Sequence, residues 1–221
     1  MHRISRSLLT AFPIAAQFAF FSGESHAHAL WIIPGDGGYK VQYGEPGEGL
    51  LEKKDKLEAL GPIQVRDDSG KAVPGVLRED HVSVAMRRGG VTASAGEAPL
   101  YGEGEHAGRP IWHARFIADL GQKTAPTPGA ALEILPDGAD GLSFSVLKGG
   151  KPLGGEGVTL ISPTGWSKSF KSDAQGKLRI ETPWPGLYLL EVGVEEKKPG
   201  ALKGKPYAKV YNAFTLSFVK E

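Results

Sequence analysis

The sequence contains no cysteine among its 221 residues. Disulfides, thiolate metal sites and cysteine nucleophiles are therefore excluded, and histidine, carboxylates and the backbone remain as candidate metal ligands. The chain also lacks an excess of one charge, since 26 Lys and Arg stand against 25 Asp and Glu. Phosphate binding requires a basic excess or a basic stripe, so nucleic acid is not expected as a partner.

Motifs of the common enzyme classes are missing as well. A Gly-x-Ser-x-Gly nucleophile elbow, a His-Glu-x-x-His zinc motif and a phosphate-binding glycine loop do not occur. The adjoining carboxylates Asp67-Asp68 and Glu195-Glu196 fall in predicted turns, where alternating side-chain directions separate the two members of each pair. The sequence therefore favours binding over catalysis, and we expect a protein that is not an enzyme.

The one long apolar run lies at the N-terminus. Arg3 and Arg6 precede an apolar stretch at 8–21, and a short polar stretch at 22–25 follows. The run is too short to cross a membrane of about 30 Å as a helix, and this order of segments is typical of a secretory signal peptide. We predict that residues 1–27 are cleaved and that the mature protein is soluble and periplasmic, without membrane insertion. Its 24 basic and 24 acidic residues balance.

Glycine and proline are abundant, with 31 and 16 residues, which indicates short strands and tight turns. Strand patterns occur at 30–34, 39–43, 63–66, 82–86, 111–120, 132–136, 142–147, 158–161, 167–171, 177–181, 188–194 and 211–219. The stretch 52–60 predicts one or two helical turns, and 121–130 has the composition of a linker. We predict an all-β protein with two antiparallel β-sandwich domains, 28–125 and 131–221, that fold independently.

The second half carries turn motifs at the ends of successive strands. They are Lys151-Pro152-Leu153, Ser172-Asp173 with Gly176, and Pro185-Gly186-Leu187-Tyr188. Asp173 can hold an Asx-type turn and Gly176 can take a positive φ. This half resembles the prealbumin-like or peptidase-regulatory β-sandwich. The resemblance concerns the fold, because none of these residues carries chemistry.

Together with these C-terminal turn motifs, three further segments give a resemblance that spans almost the whole mature chain. They are His28-Ala29-Leu30-Trp31-Ile32, Val41-Gln42-Tyr43-Gly44-Glu45 and Leu132-Glu133-Ile134-Leu135-Pro136. The chain resembles the DUF4198 family, periplasmic proteins associated with the uptake of nickel, cobalt or other transition metals. The resemblance implies a metal ion as ligand and a metal-uptake transporter or an outer-membrane receptor as partner.

The position of signal cleavage decides whether the mature chain begins with histidine. Ser25-His26-Ala27 and Ala27-His28-Ala29 both satisfy the small-x-small rule. We expect cleavage after Ala27, which makes His28 the first residue; cleavage after Ala29 would start the chain at Leu30. An N-terminal histidine offers its α-amine and its imidazole to one metal ion. The alternative is a frayed terminus that happens to begin with histidine.

The remaining histidines are candidates for further ligands. A nitrogen from His81, His106 or His113 would complete a histidine brace, an arrangement suited to copper. A second candidate metal site is the acidic loop with Glu103, Glu105 and His106, whose alternative interpretation is a solvated loop.

Two of these histidines have sequence contexts that predict their orientation. His113 lies in a strand in which Trp112, Ala114 and Phe116 share one face, so it is expected to point away from them, to solvent or a shared cleft. His81 adjoins Asp80 and is expected at the surface.

The sequence thus predicts a periplasmic accessory protein in metal acquisition that binds copper or nickel through His28 and one or two other histidines. The alternative is a carbohydrate- or protein-binding adhesion-type module in which Trp166 or Trp184 forms an exposed platform. A copper-dependent oxidative enzyme is a third, less favoured interpretation.

Overall fold

The computed structural model describes residues 28–86, 88–121, 130–138 and 140–221. The predicted signal peptide with both cleavage motifs, and residues 122–129 of the predicted linker, lie outside the described residues. One helix in this part of the chain, α1, covers Lys54–Ala59. In chain order the strands are β1 Ala29–Gly35, β2 Gly38–Glu45, β3 Leu50–Leu51, β4 Gln64–Asp67, β5 Gly75–Leu77, β6 Val82–Val84, β7 Val91–Ala95, β8 Gly108–Ile117, β9 Leu132–Pro136, β10 Ser143–Lys148, β11 Lys151–Pro152, β12 Gly157–Ile161, β13 Ser167–Lys171, β14 Lys177–Arg179, β15 Gly186–Leu202 and β16 Lys205–Lys220.

The strands form three sheets. A five-stranded sheet has the order β1-β2-β6-β5, with β3 paired to β2, and a four-stranded sheet has the order β11-β10-β14, with β9 paired to β10. The largest sheet has seven strands in the order β13-β12-β15-β16-β8-β7-β4. All pairs are antiparallel except β8 with β16, which run parallel over ten residue pairs from Gly108↔Lys209 to Ile117↔Phe218. The chain is therefore an all-β sandwich protein, as the sequence predicts.

The central strands of the seven-stranded sheet are buried on both faces. Phe116 of β8 packs in a cluster with Tyr39 and Val41 of the five-stranded sheet. The next residue, Ile117, packs in another cluster with Phe144 of the four-stranded sheet. Since successive residues of a strand point to opposite faces, the two smaller sheets cover opposite faces of the large one. The fold consists of two sandwiches that share their central sheet.

The shared sheet contains strands from both of the predicted domains, residues 28–125 and residues 131–221. Strands β4, β7 and β8 come from the first segment, and β12, β13, β15 and β16 come from the second. The domain boundary stays a prediction, but the hydrogen-bonded sheet continues across it.

Most of the predicted strands are present, with differences at their ends. The strand expected at 188–194 is part of β15, which runs to Leu202, and β16 begins at Lys205 rather than near 211. The two-residue turn between them contains Lys203 and Gly204, both with positive φ, the conformation of a tight type I′ hairpin. In the described part of the chain, no helix has the length and apolarity needed to cross a membrane.

Candidate functional site

His28 lies directly before β1 and is held by both its side chain and its main chain. Its imidazole Nε2 is 2.6 Å from Glu52 Oε1, and its ring centroid is 5.2 Å from that of Tyr43. The indole Nε1 of Trp112 donates a hydrogen bond of 3.1 Å to the His28 carbonyl oxygen. Residue 28 is therefore fixed against the core, which opposes the interpretation of a frayed terminus.

The two carboxylates near His28 arrive through strand pairing. Ala29 of β1 faces Gly44 of β2, so Glu45 comes beside residue 28. Glu45 also faces Leu50 of β3, and Glu52 follows that strand. The side chains of His28, Glu45 and Glu52 are 31%, 20% and 21% exposed, which leaves the group at the edge of the solvent.

The ring nitrogens of His28 have different surroundings. A carboxylate only accepts hydrogen bonds, so Nε2 carries a proton and donates a hydrogen bond to Glu52. In the neutral ring Nδ1 then keeps its lone pair, and it lies 3.6 Å from Glu45 Oε1. Two ligand atoms bound to one transition-metal ion at about 2.0–2.2 Å each are about 3–3.6 Å apart. The space between Nδ1 and Oε1 thus has the dimensions of a two-ligand metal contact.

Tyr43 forms the apolar side of the group. Burial raises the pKa of its phenol, and the nearby Glu52 carboxylate adds to this effect. The ring also contacts Trp112 edge to face, with centroids 5.2 Å apart. Tyr43 therefore stays neutral and fixes one wall beside the imidazole.

The other predicted ligands lie in different settings. Both ring nitrogens of His81 are engaged, Nδ1 at 2.7 Å from Asp80 Oδ1 and Nε2 at 3.0 Å from Ser83 Oγ. The side chain of His81 is 16% exposed, so it is more buried than the sequence suggests.

His113 does point away from Trp112, Ala114 and Phe116, as predicted. Those three residues belong to the core cluster of the five-stranded sheet. His113 is nevertheless mostly buried, because the opposite face of the large sheet is covered as well, and burial lowers the pKa of its imidazole. It pairs with Ser94 and Phe214 across the sheet.

The acidic loop is open to solvent. A short 3-10 turn covers Gly104–His106. The side chains of Glu105 and His106 are 89% and 82% exposed, with Oε1 and Nε2 3.7 Å apart. Glu103 is exposed too and borders a pocket of about 550 Å³ together with residues of the β15–β16 turn. These features agree with the interpretation as a solvated loop.

Over the described ranges, no group of three or more His, Asp or Glu side chains is arranged to hold a metal ion. Signal cleavage after Ala27 would add a candidate ligand to His28 and Glu45, the α-amine of residue 28.

Two exposed tryptophans form a second candidate site. Trp166 lies between β12 and β13, and Trp184 lies between β14 and β15. Their side chains remain 44% and 41% exposed, whereas Trp31 and Trp112 are buried. The two exposed rings are 6.1 Å apart and inclined by 75°. Both residues are candidates from the sequence, but no sequence pattern predicts that their side chains are in contact.

No family model, no curated protein and no solved structure matches this chain.

Proposed function

We propose that this protein is an exported transition-metal-binding accessory protein and that its binding site is the N-terminal residue His28 of the mature chain. The observation that carries the proposal is the fixed position of His28 between Glu52 and Glu45, with Nδ1 facing Glu45 Oε1. The resemblance to the DUF4198 family adds the expectation of a role in metal uptake. A transporter or an outer-membrane receptor as the recipient of the metal is part of this proposal.

The ligands in this proposal are the α-amine and Nδ1 of His28 and a carboxylate oxygen of Glu45. Amine, imidazole and carboxylate give a nitrogen-rich set, for which Cu²⁺ has a higher affinity than Ni²⁺ on the Irving–Williams order. Glu52 acts on the ring rather than on the metal. By accepting a hydrogen bond from the Nε2–H group it fixes the ring orientation and the tautomer, the role that carboxylates commonly have beside metal-binding histidines.

The site differs from the histidine brace predicted from sequence. There, a second histidine supplies the third nitrogen; here the nearest further ligand is Glu45. His81, His106 and His113 stay predictions as additional ligands. In the structure His81 is engaged by Asp80 and Ser83, and His106 is exposed to solvent beside Glu105.

The test begins with protein secreted to a periplasm and the intact mass of the product. A chain that begins at His28 is then titrated with Cu²⁺ and Ni²⁺ against a competing chelator. We expect one equivalent to bind, with an affinity that falls as the pH is lowered, because both nitrogens bind only when deprotonated. A mature chain that begins at Leu30 would lack the site and contradict the proposal.

Four variants separate the ligands. An extra alanine before His28 keeps the imidazole but converts the amine into a peptide nitrogen, and we expect it to abolish tight binding. Glu52→Gln should weaken binding about 10–100-fold, the usual effect of removing such a partner. Glu45→Gln removes the carboxylate charge from the ligand atom and should weaken binding as well. Glu58→Gln on α1 is the matched control, since Glu58 is exposed and pairs with Lys54.

His106→Ala tests the acidic loop separately. If the extra alanine leaves the affinity unchanged while His106→Ala abolishes binding, the loop is the site and the proposal for His28 is wrong. If neither change matters, the protein does not bind metal through these residues.

A further inference from the structure

The main chain of Trp166 is fixed by the turn in which it lies. Its N–H donates to Ser162 Oγ at 3.1 Å, and its carbonyl accepts from the Ser162 N–H at 2.8 Å. Ser162 is buried, so this anchor belongs to the core rather than to the surface. The exposed indole therefore projects from a rigid base.

Trp184 has an equivalent anchor on the second loop. The hydroxyl of Tyr188, which is fully buried, accepts a hydrogen bond of 3.0 Å from the Trp184 N–H and donates one of 2.9 Å to the Trp184 carbonyl. A tyrosine bonded to the main chain a few residues upstream is a known device for fixing sandwich corners. The main chain that carries each indole is thus already ordered before a ligand binds.

The two loops are also locked to each other. Gly186 has a φ of +125°, and a Cβ at this position would lie 2.8 Å from Cβ and Cγ of Pro163. Lys168 and Glu181, one from each side of the pair, approach to 3.8 Å between Nζ and Oε2. The two loops that carry the indoles are therefore packed against each other at the position of Gly186 and Pro163.

The area of this aromatic surface matches a small ligand. Two tryptophans that are each about two-fifths exposed offer on the order of 200 Å² of aromatic surface. A stable protein interface needs about 800 Å² on each partner. A single sugar ring, in contrast, is covered by one indole, and its C–H groups match the negative face of the aromatic ring.

We propose that Trp166 and Trp184 form an aromatic platform for a pyranose glycan. One indole stacks under a sugar ring, and the other, inclined by 75°, bounds its edge. Lys168 and Glu181, which lie on the strand and the segment next to the two loops, are exposed and offer a donor and an acceptor to sugar hydroxyls. A ligand site of this kind combines an apolar floor with a few placed polar groups. This activity is separate from metal binding at His28.

The experiment uses the full mature chain labelled with ¹⁵N and titrated with cellohexaose, chitohexaose or maltohexaose. The chain has four tryptophans, and two of them are buried, so the spectrum contains its own control. With at least one of these sugars we expect the indole N–H signals of Trp166 and Trp184 to shift and saturate. Those of Trp31 and Trp112 should stay in place.

Variants test which side chains carry the binding. Trp166→Ala and Trp184→Ala should each weaken binding at least tenfold while the chain keeps a cooperative thermal transition, because both residues lie outside the core clusters. Val76→Ala is the control, since Val76 is 50% exposed on a different sheet and its removal should not affect the titration.

Three results would overturn the proposal. The first is that none of the three sugars shifts the two exposed indoles. The second is that both alanine variants bind the sugar as well as the parent does. The third is that the indole signals shift with protein concentration in the absence of sugar and that this shift disappears in Trp166→Ala. That result would mean that the two tryptophans mediate association between copies of the chain.

Discussion

Arg115 of β8 and Glu133 of β9 form a buried ion pair in which Nη1 lies 3.0 Å from Oε1, and both side chains are about 5% exposed. The pair joins the seven-stranded sheet to the four-stranded sheet. Asp68 approaches the same guanidinium at 3.5 Å from Nη2 and also accepts a hydrogen bond from the Gly90 N–H. Glu133 belongs to the central motif that gives the DUF4198 resemblance, and the structure assigns it a structural contact.

We expect Glu133→Gln to lower the free energy of unfolding by about 3–5 kcal/mol, the range found when one partner of a buried pair is removed. The guanidinium would stay buried without its full countercharge. Urea unfolding measures the effect. Asp137→Asn is the control, because Asp137 pairs with Lys177 at the surface and such pairs contribute up to about 1 kcal/mol. Equal losses in the free energy of unfolding for the two variants would show that the buried Glu133 pair contributes no more to stability than the surface pair.

Glu191 makes the stability depend on pH. Burial raises the pKa of this carboxyl from 4.5 to about 7, and its Oε1 has no hydrogen-bond partner among the described residues. Between these pH values the unfolded chain has released the proton that the folded chain still holds. The contribution of Glu191 to stability therefore falls as the pH rises from about 4.5 to about 7 and then levels off, by up to about 3 kcal/mol. His113, whose pKa burial lowers, contributes the opposite slope below its unfolded pKa of about 6.5, so the effect of Glu191 is the difference between the parent and a Glu191→Gln variant.

Glu191→Gln should remove this dependence. The variant is expected to match the parent near pH 4.5 and to be more stable at pH 8, measured by urea unfolding at both values. Glu58→Gln, a change at an exposed position, should follow the parent curve. A Glu191→Gln variant whose stability changes between pH 4.5 and pH 8 by the same amount as that of the parent would refute the assignment to Glu191.

The period-two pattern of the sequence predicted most strands but not the way in which they assemble. The parallel pairing of β8 with β16 joins segments about 100 residues apart, and neither segment carries a local signal for its partner. The outer part of β15 was missed for another reason. Residues 195–201 are mostly charged or exposed on both faces, so alternation of apolar and polar residues is absent there.

The candidate site was predictable only in part. The cleavage motif and the residue type point to His28, and both are visible in a short stretch of the sequence. Glu45 and Glu52 reach it through the registers of β1 with β2 and of β2 with β3, which no motif specifies. The same holds for Trp166 and Trp184, whose contact depends on two loops that are separated by a pair of strands.

The shared sheet changes the expectation for the second half expressed alone. The sequence predicts that 131–221 folds independently, but this fragment would expose the edge of β16 along ten residue pairs and leave Glu133 without Arg115. Exposed strand edges promote association with other chains. We expect the fragment to lack a cooperative thermal transition or to self-associate. Circular dichroism measures the transition, and size-exclusion chromatography measures self-association.

Mixing with residues 28–121 provides the control for the fragment experiment. Recovery of a cooperative transition in the mixture would show that the missing element is β8 and its neighbours. A monomeric fragment 131–221 with a cooperative transition of its own would instead support the two-domain prediction.

Gly186 tests the lock between the loops that carry the exposed tryptophans. Gly186→Ala adds a Cβ that overlaps Pro163 and also places an alanine at a φ of +125°. Gly165→Ala is the matched control, because Gly165 has a φ of +80° but nothing within 4 Å of the added Cβ. The control should therefore lose about 1–2 kcal/mol from the backbone alone. Gly186→Ala should lose a further 1–3 kcal/mol or so from overpacking and should shift the indole signal of Trp184, as the loop moves away from Pro163. Equal unfolding free energies for the two variants, with an unshifted Trp184 signal, would mean that Pro163 yields to the added methyl group and that the loops are not locked at this point.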